Sequence, residues 1–88
     1  MLYIRAVIEF AASAFRHGFD ETDFYEVLEG RPLEMRSRQG LSKIYELYGQ
    51  NSSGEYLHNA YRREAGNTSV FHMRRMTRRE IQFYWRHL

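Results

Sequence analysis

The 88-residue chain is predicted to be an α+β domain with helices at both ends and an antiparallel sheet between them. Apolar residues recur at helical spacing before residue 30 and again after Thr77. From Leu33 to Arg75 the apolar period is two, and short turns containing Gly, Asn or Ser separate the runs, so successive strands should pair antiparallel. We therefore expect one domain over residues 1–88, with two N-terminal helices, a curled sheet of about four strands and a C-terminal helix, the helices lying mainly on one face of the sheet.

The first helix is predicted from a segment whose opening is ambiguous. Residues 2–7 fit either a short strand or the first turns of a helix. The helical alternative places five apolar residues on one face, namely Ile4, Val7, Ile8, Ala11 and Phe15. In both cases the segment from about Val7 to His17 is expected to be helical. Gly18 then stands where helices commonly end through a left-handed residue.

The second helix has a well-defined start and end. Asp20 is the expected N-cap, and Asp23 lies at the position from which a carboxylate can bond back to the capping residue. Gly30 and Pro32 should end the helix, since proline forbids its continuation.

Strands are expected near residues 33–37, 42–48, 55–63 and 68–75. In the last strand, Phe71, Met73 and Arg75 alternate with Val70, His72 and Arg74. Phe71 and Met73 are predicted to face the core, which would place His72 and Arg74 together on the open face.

The hairpin register decides which side of the preceding strand joins His72. One side offers His58 and Arg62, and the other offers Asn59, Tyr61 and Arg63. Both remain possible at this stage, because a shift of one residue exchanges the two faces.

The C-terminal helix begins with a capping box formed by Thr77 and Glu80. Its expected buried face has helical spacing and consists of Ile81, Tyr84, Trp85 and Leu88. Four arginines lie within six residues where the last strand meets this helix, at positions 74, 75, 78 and 79. Any anion that the chain binds is expected near this junction.

The net charge of +2 is unevenly distributed. Residues 1–54 carry 6 Lys or Arg against 8 Asp or Glu, whereas residues 55–88 carry 7 Arg against 3 Glu. The basic half indicates a polyanionic partner, nucleic acid before membrane, and a merely solvated cationic face is the alternative. Because the chain has no cysteine, a reducing, cytoplasmic compartment is expected. Arg5 and Glu9 interrupt the first apolar run, which therefore fits neither a signal peptide nor a membrane span.

Several segments, in this order, resemble one known family. They are Arg16-His17-Gly18, Phe19-Asp20-Glu21, Pro32-Leu33, the turn from Gly49 to Gly54, and Val70-Phe71-His72-Met73-Arg74-Arg75-Met76-Thr77-Arg78-Arg79-Glu80 with Tyr84. The chain resembles the BrnT-type toxins of bacterial toxin–antitoxin operons, which belong to the RelE/ParE-like superfamily. The resemblance implies a RelE/ParE-like fold and a metal-independent ribonuclease without a cofactor. It also implies neutralisation by a small antitoxin of the ribbon-helix-helix type.

Metal-free RNA cleavage requires an acid and a base together with cationic donors for the phosphate, and the chain offers candidates for each. His72 with Arg74 meets this description within one strand. His17 is a third catalytic candidate through the resemblance, although capping of the first helix would explain it as well. Substrate binding is assigned to exposed arginines, namely Arg16, Arg75, Arg78 and Arg79. No metal site is expected, because the four histidines form no close ligand pair.

Two functions follow. The first is an endoribonuclease toxin that cleaves RNA, with single-stranded RNA as the favoured substrate because unpaired bases can stack on exposed aromatic side chains. The alternative is an inactive toxin-like module that docks an antitoxin or nucleic acid through its basic face. Gyrase poisoning is known in the wider superfamily and is a third alternative that the fold does not exclude.

Overall fold

The computed structural model describes residues 8–37, 40 and 42–88. The ambiguous opening, residues 2–7, lies outside the described residues. The described elements are β1 (Ile8–Phe10), a short 3₁₀ helix (Ala12–Phe15), α1 (Glu21–Glu29), β2 (Leu33–Arg36), β3 (Ile44–Gln50), β4 (Tyr56–Glu64), β5 (Asn67–Arg75) and α2 (Arg78–Arg86).

The five strands form one mixed sheet in the order β1-β5-β4-β3-β2. Strands β2 to β5 follow one another as an antiparallel meander, as the short turns between them predict. Strand β1 lies parallel to β5 at the other edge, with Ile8 opposite Thr68 and Phe10 opposite Val70.

The predicted fold class is wrong: the described residues form a mixed sheet of five strands, not an antiparallel sheet of about four, and only one of the two expected N-terminal helices forms as an α-helix. Instead of a helix from about Val7 to His17, the described residues of this segment form β1 and the 3₁₀ helix. This segment does not form a helix because it pairs with the edge of β5 that the meander leaves without a partner. The Ala11 amide donates to the Val70 carbonyl at 2.8 Å, and Ser13 Oγ donates to the Phe71 carbonyl at 2.7 Å. Pairing with a distant strand thus overrides the local helical periodicity.

The second and last helices form as their capping signals predict. Asp20 Oδ1 accepts from the Asp23 amide at 3.2 Å, and Asp23 Oδ2 accepts from the Asp20 amide at 2.9 Å. Thr77 and Glu80 form the same reciprocal pair at the start of α2. These bonds satisfy amides that have no partner within their helices.

The helices lie on both faces of the sheet, so the expectation that they lie mainly on one face is wrong. The first face is covered by α1 and the 3₁₀ helix, and its fully buried side chains include Phe24, Val27, Leu47, Tyr61 and Val70. The second face is covered at one end by α2, through a cluster of Tyr48, Met76 and Tyr84 with Leu33, Met35, Tyr56, Ile81 and Phe83 around it. Trp85 and Leu88, expected on the buried face of α2, are 48% and 45% exposed.

Helix α1 crosses β3 at Gly49. A Cβ atom at this glycine would lie 2.8 Å from Cγ1 of Val27, which is fully buried and stiff because it is β-branched. We expect Gly49→Ala to lower the free energy of unfolding by about 1–3 kcal/mol, measured by urea denaturation. The loss should be smaller in a Val27→Ala background, where the clashing methyl is gone. Equal losses in the two backgrounds would contradict this explanation.

Candidate functional site

The open part of the second face is shaped by a β-bulge between β4 and β5. Ala60 lies opposite His72 whereas Tyr61 lies opposite Val70, so Phe71 is the extra residue. Because of the bulge, Val70 and Met73 are both fully buried in the core. The predictions that Phe71 faces the core and that Val70 faces the open side are therefore wrong.

The end of this face that α2 leaves uncovered is a cleft of about 330 Å³. It combines an apolar floor with titratable side chains, and its lining residues are Ser37, Ile44, Glu46, His58, Ala60, Phe71, His72 and Arg74. Strands β3, β4 and β5 contribute most of these residues, so a continuous sheet holds the lining in place.

Three imidazoles meet at this cleft. His72 is in the middle, with its ring centroid 5.5 Å from that of His17 and 5.8 Å from that of His58. The register puts His58 opposite Arg74, so His58, and not the side of β4 that carries Asn59, shares the face of His72. His17 arrives from the exposed turn after the 3₁₀ helix, where its ring packs edge-on against His72.

The His58 ring is fixed by a short hydrogen-bonded chain of polar side chains on β3. Its Nε2 lies 3.1 Å from Oε1 of Glu46, which also accepts from the Tyr48 hydroxyl at 2.6 Å. Burial lowers the pKa of His58, although the bond to Glu46 acts in the opposite direction. The imidazole is therefore neutral at pH 7, with Nε2–H donating to the carboxylate. Its Nδ1 is buried and has no hydrogen-bond partner among the described residues.

His72 is also neutral at pH 7. Burial lowers its pKa first, and electrostatic interactions with His58, Arg74 and His17 lower it further, against the opposite effect of Glu80. A neutral imidazole that reaches a cleft can accept a proton from a bound hydroxyl. The site therefore contains a base that remains available below the pH at which an ordinary histidine is protonated.

Arg74 lines the cleft, but its guanidinium is already engaged. It donates to both carboxylate oxygens of Glu80, at 2.7 and 2.8 Å, and also to the Arg75 carbonyl at 2.9 Å. Glu80 Oε1 in addition accepts from the Thr77 amide at 2.8 Å. These bonds, that of Arg74 first, lower the pKa of Glu80 to about 2. Arg74 thus ties β5 to α2 and contributes its charge to the cleft from a fixed position.

The other predicted arginines are dispersed. Arg75 points to the opposite face, where it pairs with Glu55 at 2.7 Å and lies over the ring of Phe19 at 5.5 Å. Of the four arginines at the junction where an anion was expected to bind, Arg75 therefore lies on the face away from the cleft. Arg78 and Arg79 are exposed in the first turn of α2.

Arg16 is exposed next to His17, and it completes the predicted site residues. The structure thus brings His17, His72 and Arg74 together at the cleft and places Arg16 beside them. Arg75 is kept on the far side of the sheet.

Sequence reasoning did not assign Glu46, His58, Phe71 or Arg62 to a site. Arg62 is exposed and, by alternation, lies on the same face as His58 and Ala60. The available signal was the alternation of His58, Ala60 and Arg62 along β4, which becomes informative only when the register against β5 is known.

Comparison with known protein families and with curated proteins finds no match. Among residues 8–37, 40 and 42–88, no helix is long and apolar enough to cross a membrane. The same residues contain no group of three or more His, Cys, Asp or Glu side chains arranged to hold a metal ion.

The pair of Arg74 and Glu80 should stabilise the protein in a pH-dependent way. The pKa of Glu80 is lowered from 4.5 to about 2, so between these values the unfolded chain binds more protons than the folded one. The stabilisation is thus complete above about pH 4.5 and is lost as the pH falls towards 2. We expect Glu80→Gln to lower the free energy of unfolding at pH 7 by about 1–2 kcal/mol, after discounting for solvent screening.

Urea denaturation of both proteins between pH 7 and pH 2.5 checks this expectation. The difference between them should shrink as the pH falls. Glu64→Gln, which removes the exposed pair with Lys43, is the matched control and should have a much smaller effect at pH 7. A pH-independent difference would show that Glu80 acts through packing and not through its charge.

Proposed function

We propose that the chain is a metal-independent endoribonuclease of a toxin–antitoxin pair, with the histidine-lined cleft as its active site. The observation that supports this best is the pairing of His17 with His72 at 5.5 Å, one imidazole exposed and the other kept neutral by its surroundings. Two imidazoles in contact can both face one phosphodiester group bound beside them, which provides an acid and a base without a metal ion.

In the proposed reaction, His72 removes the proton from a ribose 2′-hydroxyl. The 2′-oxygen attacks the adjacent phosphorus and the bond from phosphorus to the 5′-oxygen breaks. Protonated His17 gives its proton to that leaving oxygen. The products are a 2′,3′-cyclic phosphate and a 5′-hydroxyl, so atoms and charge balance with no further reactant.

The cations around the cleft would then have different roles. The Arg74 guanidinium stays bound to Glu80 and stabilises the negative charge on the phosphate through space. Arg16 and Arg62 at the rim can bind neighbouring phosphates by direct contact, and the exposed Arg78 and Arg79 of α2 can bind phosphates further along the strand. Arg75, engaged by Glu55 on the other face, has no part in this proposal.

The partner and compartment in this proposal follow from the resemblance to BrnT-type toxins and from the charge distribution. An acidic segment of a small antitoxin would cover the basic rim and exclude RNA from the cleft. A protein that acts on cellular RNA in such a pair works in the cytoplasm.

A second candidate is a binding module without catalysis that docks nucleic acid or an antitoxin. The observation that favours it is the engagement of Arg74, whose two-fold bond to Glu80 leaves it poorly placed to grip a phosphate bidentately. The assay described next separates the two candidates.

We expect cleavage of a labelled single-stranded RNA in the presence of EDTA, detected by gel electrophoresis. Loss of either imidazole, in His72→Ala or His17→Ala, should lower the cleavage rate by about 100-fold or more. His87→Ala is the matched control, because His87 packs on Phe83 at the end of α2, outside the cleft lining, and its loss should leave the rate unchanged.

The products provide an independent check, since the mechanism requires a 2′,3′-cyclic phosphate. Native protein that binds RNA but does not cut it, with or without ribosomes, would support the binding module. Equal cleavage by the native protein and both variants would place any nuclease activity elsewhere.

The pH profile of cleavage should reflect the lowered pKa of His72. A base must be neutral to act, and His72 is neutral down to a pH below the ordinary value of 6.5. We therefore expect kcat/KM to hold below pH 6.5 and to fall only when His72 becomes protonated. The fall in kcat/KM at low pH should persist in Glu80→Gln. A kcat/KM that declines from pH 7.5 downwards would contradict the assignment of His72 as the base.

A further inference from the structure

We infer that Phe71 is a stacking platform for one base of the bound RNA strand, beside the phosphate that His17 and His72 would contact. This inference rests on the proposed function for the identity of the ligand. It adds a base-binding subsite that neither the strand pattern nor the acid–base chemistry requires.

The first argument is the bulge. Regular alternation would bury the phenyl ring of Phe71 in the core, but the bulge turns it into the cleft and lets Val70 and Met73 take the core positions. Within the part of the chain that the structure describes, Phe71 is in neither of the two hydrophobic clusters that hold the helices on the sheet. A large aromatic side chain placed outside the core, next to a titratable one, suggests a role in binding.

The second argument is space. Ala60 lies directly opposite His72 across the strand pair, and its small side chain leaves the cleft open at that point. Together with Ile44 it provides an apolar floor beside Phe71. A flat base can bury one of its faces on such a surface without leaving a polar group unpaired, since its polar edge stays in solvent.

The third argument is charge, which identifies the occupant as a nucleotide and not as an apolar peptide. Arg16 and His17 stand at the β1 edge of the sheet, and the exposed Arg62 stands on β4 on the face of the cleft. Cations on both sides of an aromatic platform are the arrangement that binds single-stranded nucleic acid, with phosphates on the charges and bases on the rings. Phe71 and His72 are sequence neighbours, so a base stacked on Phe71 carries its own phosphate towards His72.

The test uses a fluorescent tetranucleotide of 2′-O-methyl RNA, which cannot be cut because its 2′-oxygen is blocked. We expect Phe71→Ala to raise the Kd by about tenfold in fluorescence anisotropy, within the range known for loss of one stacked base. Phe71→Trp should bind within about twofold of native protein, because it restores an aromatic face. Tyr25→Ala is the control, since Tyr25 is an exposed aromatic (39%) on α1, which covers the other face of the sheet, and its loss should leave the Kd unchanged.

Two further probes separate stacking from a change in the fold. Ala60→Leu keeps Phe71 but fills the cleft, and it should weaken binding as Phe71→Ala does. A tetranucleotide with abasic sites should bind native protein and Phe71→Ala equally, because it has no base to stack. Equal affinity of native protein and Phe71→Ala for the intact tetranucleotide would overturn the inference. It would also be overturned if Phe71→Ala weakened binding of the abasic tetranucleotide as much as binding of the intact one.

The same proteins distinguish this inference from the proposed function. If binding depends on Phe71 but ordinary RNA is not cleaved, the base subsite is supported and the proposed ribonuclease activity is contradicted. If cleavage requires His72 but Phe71→Ala does not change its KM, the ribonuclease activity is supported and the base subsite is contradicted. If both hold, Phe71→Ala should raise KM with little change in kcat, since the base binds equally before and during the reaction.

Discussion

The hydrogen-bonded group of Arg74, Glu80 and Thr77 is the constraint on which the functional face depends. A single carboxylate caps the first turn of α2 and accepts both arms of an arginine on β5. It thereby fixes where the helix leaves the strand, and the helix can then pack its apolar side on Tyr48 and Met76. The ion pair of Arg74 and Glu80 is partly buried, so solvent and salt screen it less than a surface pair. The low pKa of Glu80 keeps its carboxylate charged, and the pair intact, at physiological pH.

This arrangement divides the second face of the sheet into a covered end and an open end. The covered end is a small aromatic core, and the open end is the cleft in which His17, His58 and His72 meet. Arg74 belongs to both ends, because its guanidinium holds α2 while its charge disfavours protonation of His72. Stability of the strand–helix junction and the protonation state of the proposed base are therefore coupled through one side chain.

The parts of this molecule that were predicted correctly depend on signals a few residues apart. The capping boxes and the four meander strands are examples, since turn residues and reciprocal side-chain bonds are visible in the sequence itself. The parts that failed depend on distant pairing. Strand β1 is stabilised by pairing with β5, whose residues lie 60 positions later in the chain, and the bulge at Phe71 breaks the alternation on which face assignments rest. For the candidate site, His72 and Arg74 were proposed from residue type and His17 through the family resemblance, whereas the place of His58 required the strand register and the bonds of Arg74 to Glu80 required the structure.

The central claim is that a phosphate of RNA binds beside the contacting imidazoles of His17 and His72. It is tested most directly by NMR of the imidazole C–H resonances while a 2′-O-methyl dinucleotide is titrated into the native protein. The account predicts that the resonances of His17 and His72 shift together with one Kd and that those of His87, at the end of α2, do not move. A dinucleotide that binds while both His17 and His72 remain unchanged would contradict it and place the nucleic-acid site elsewhere on the basic surface.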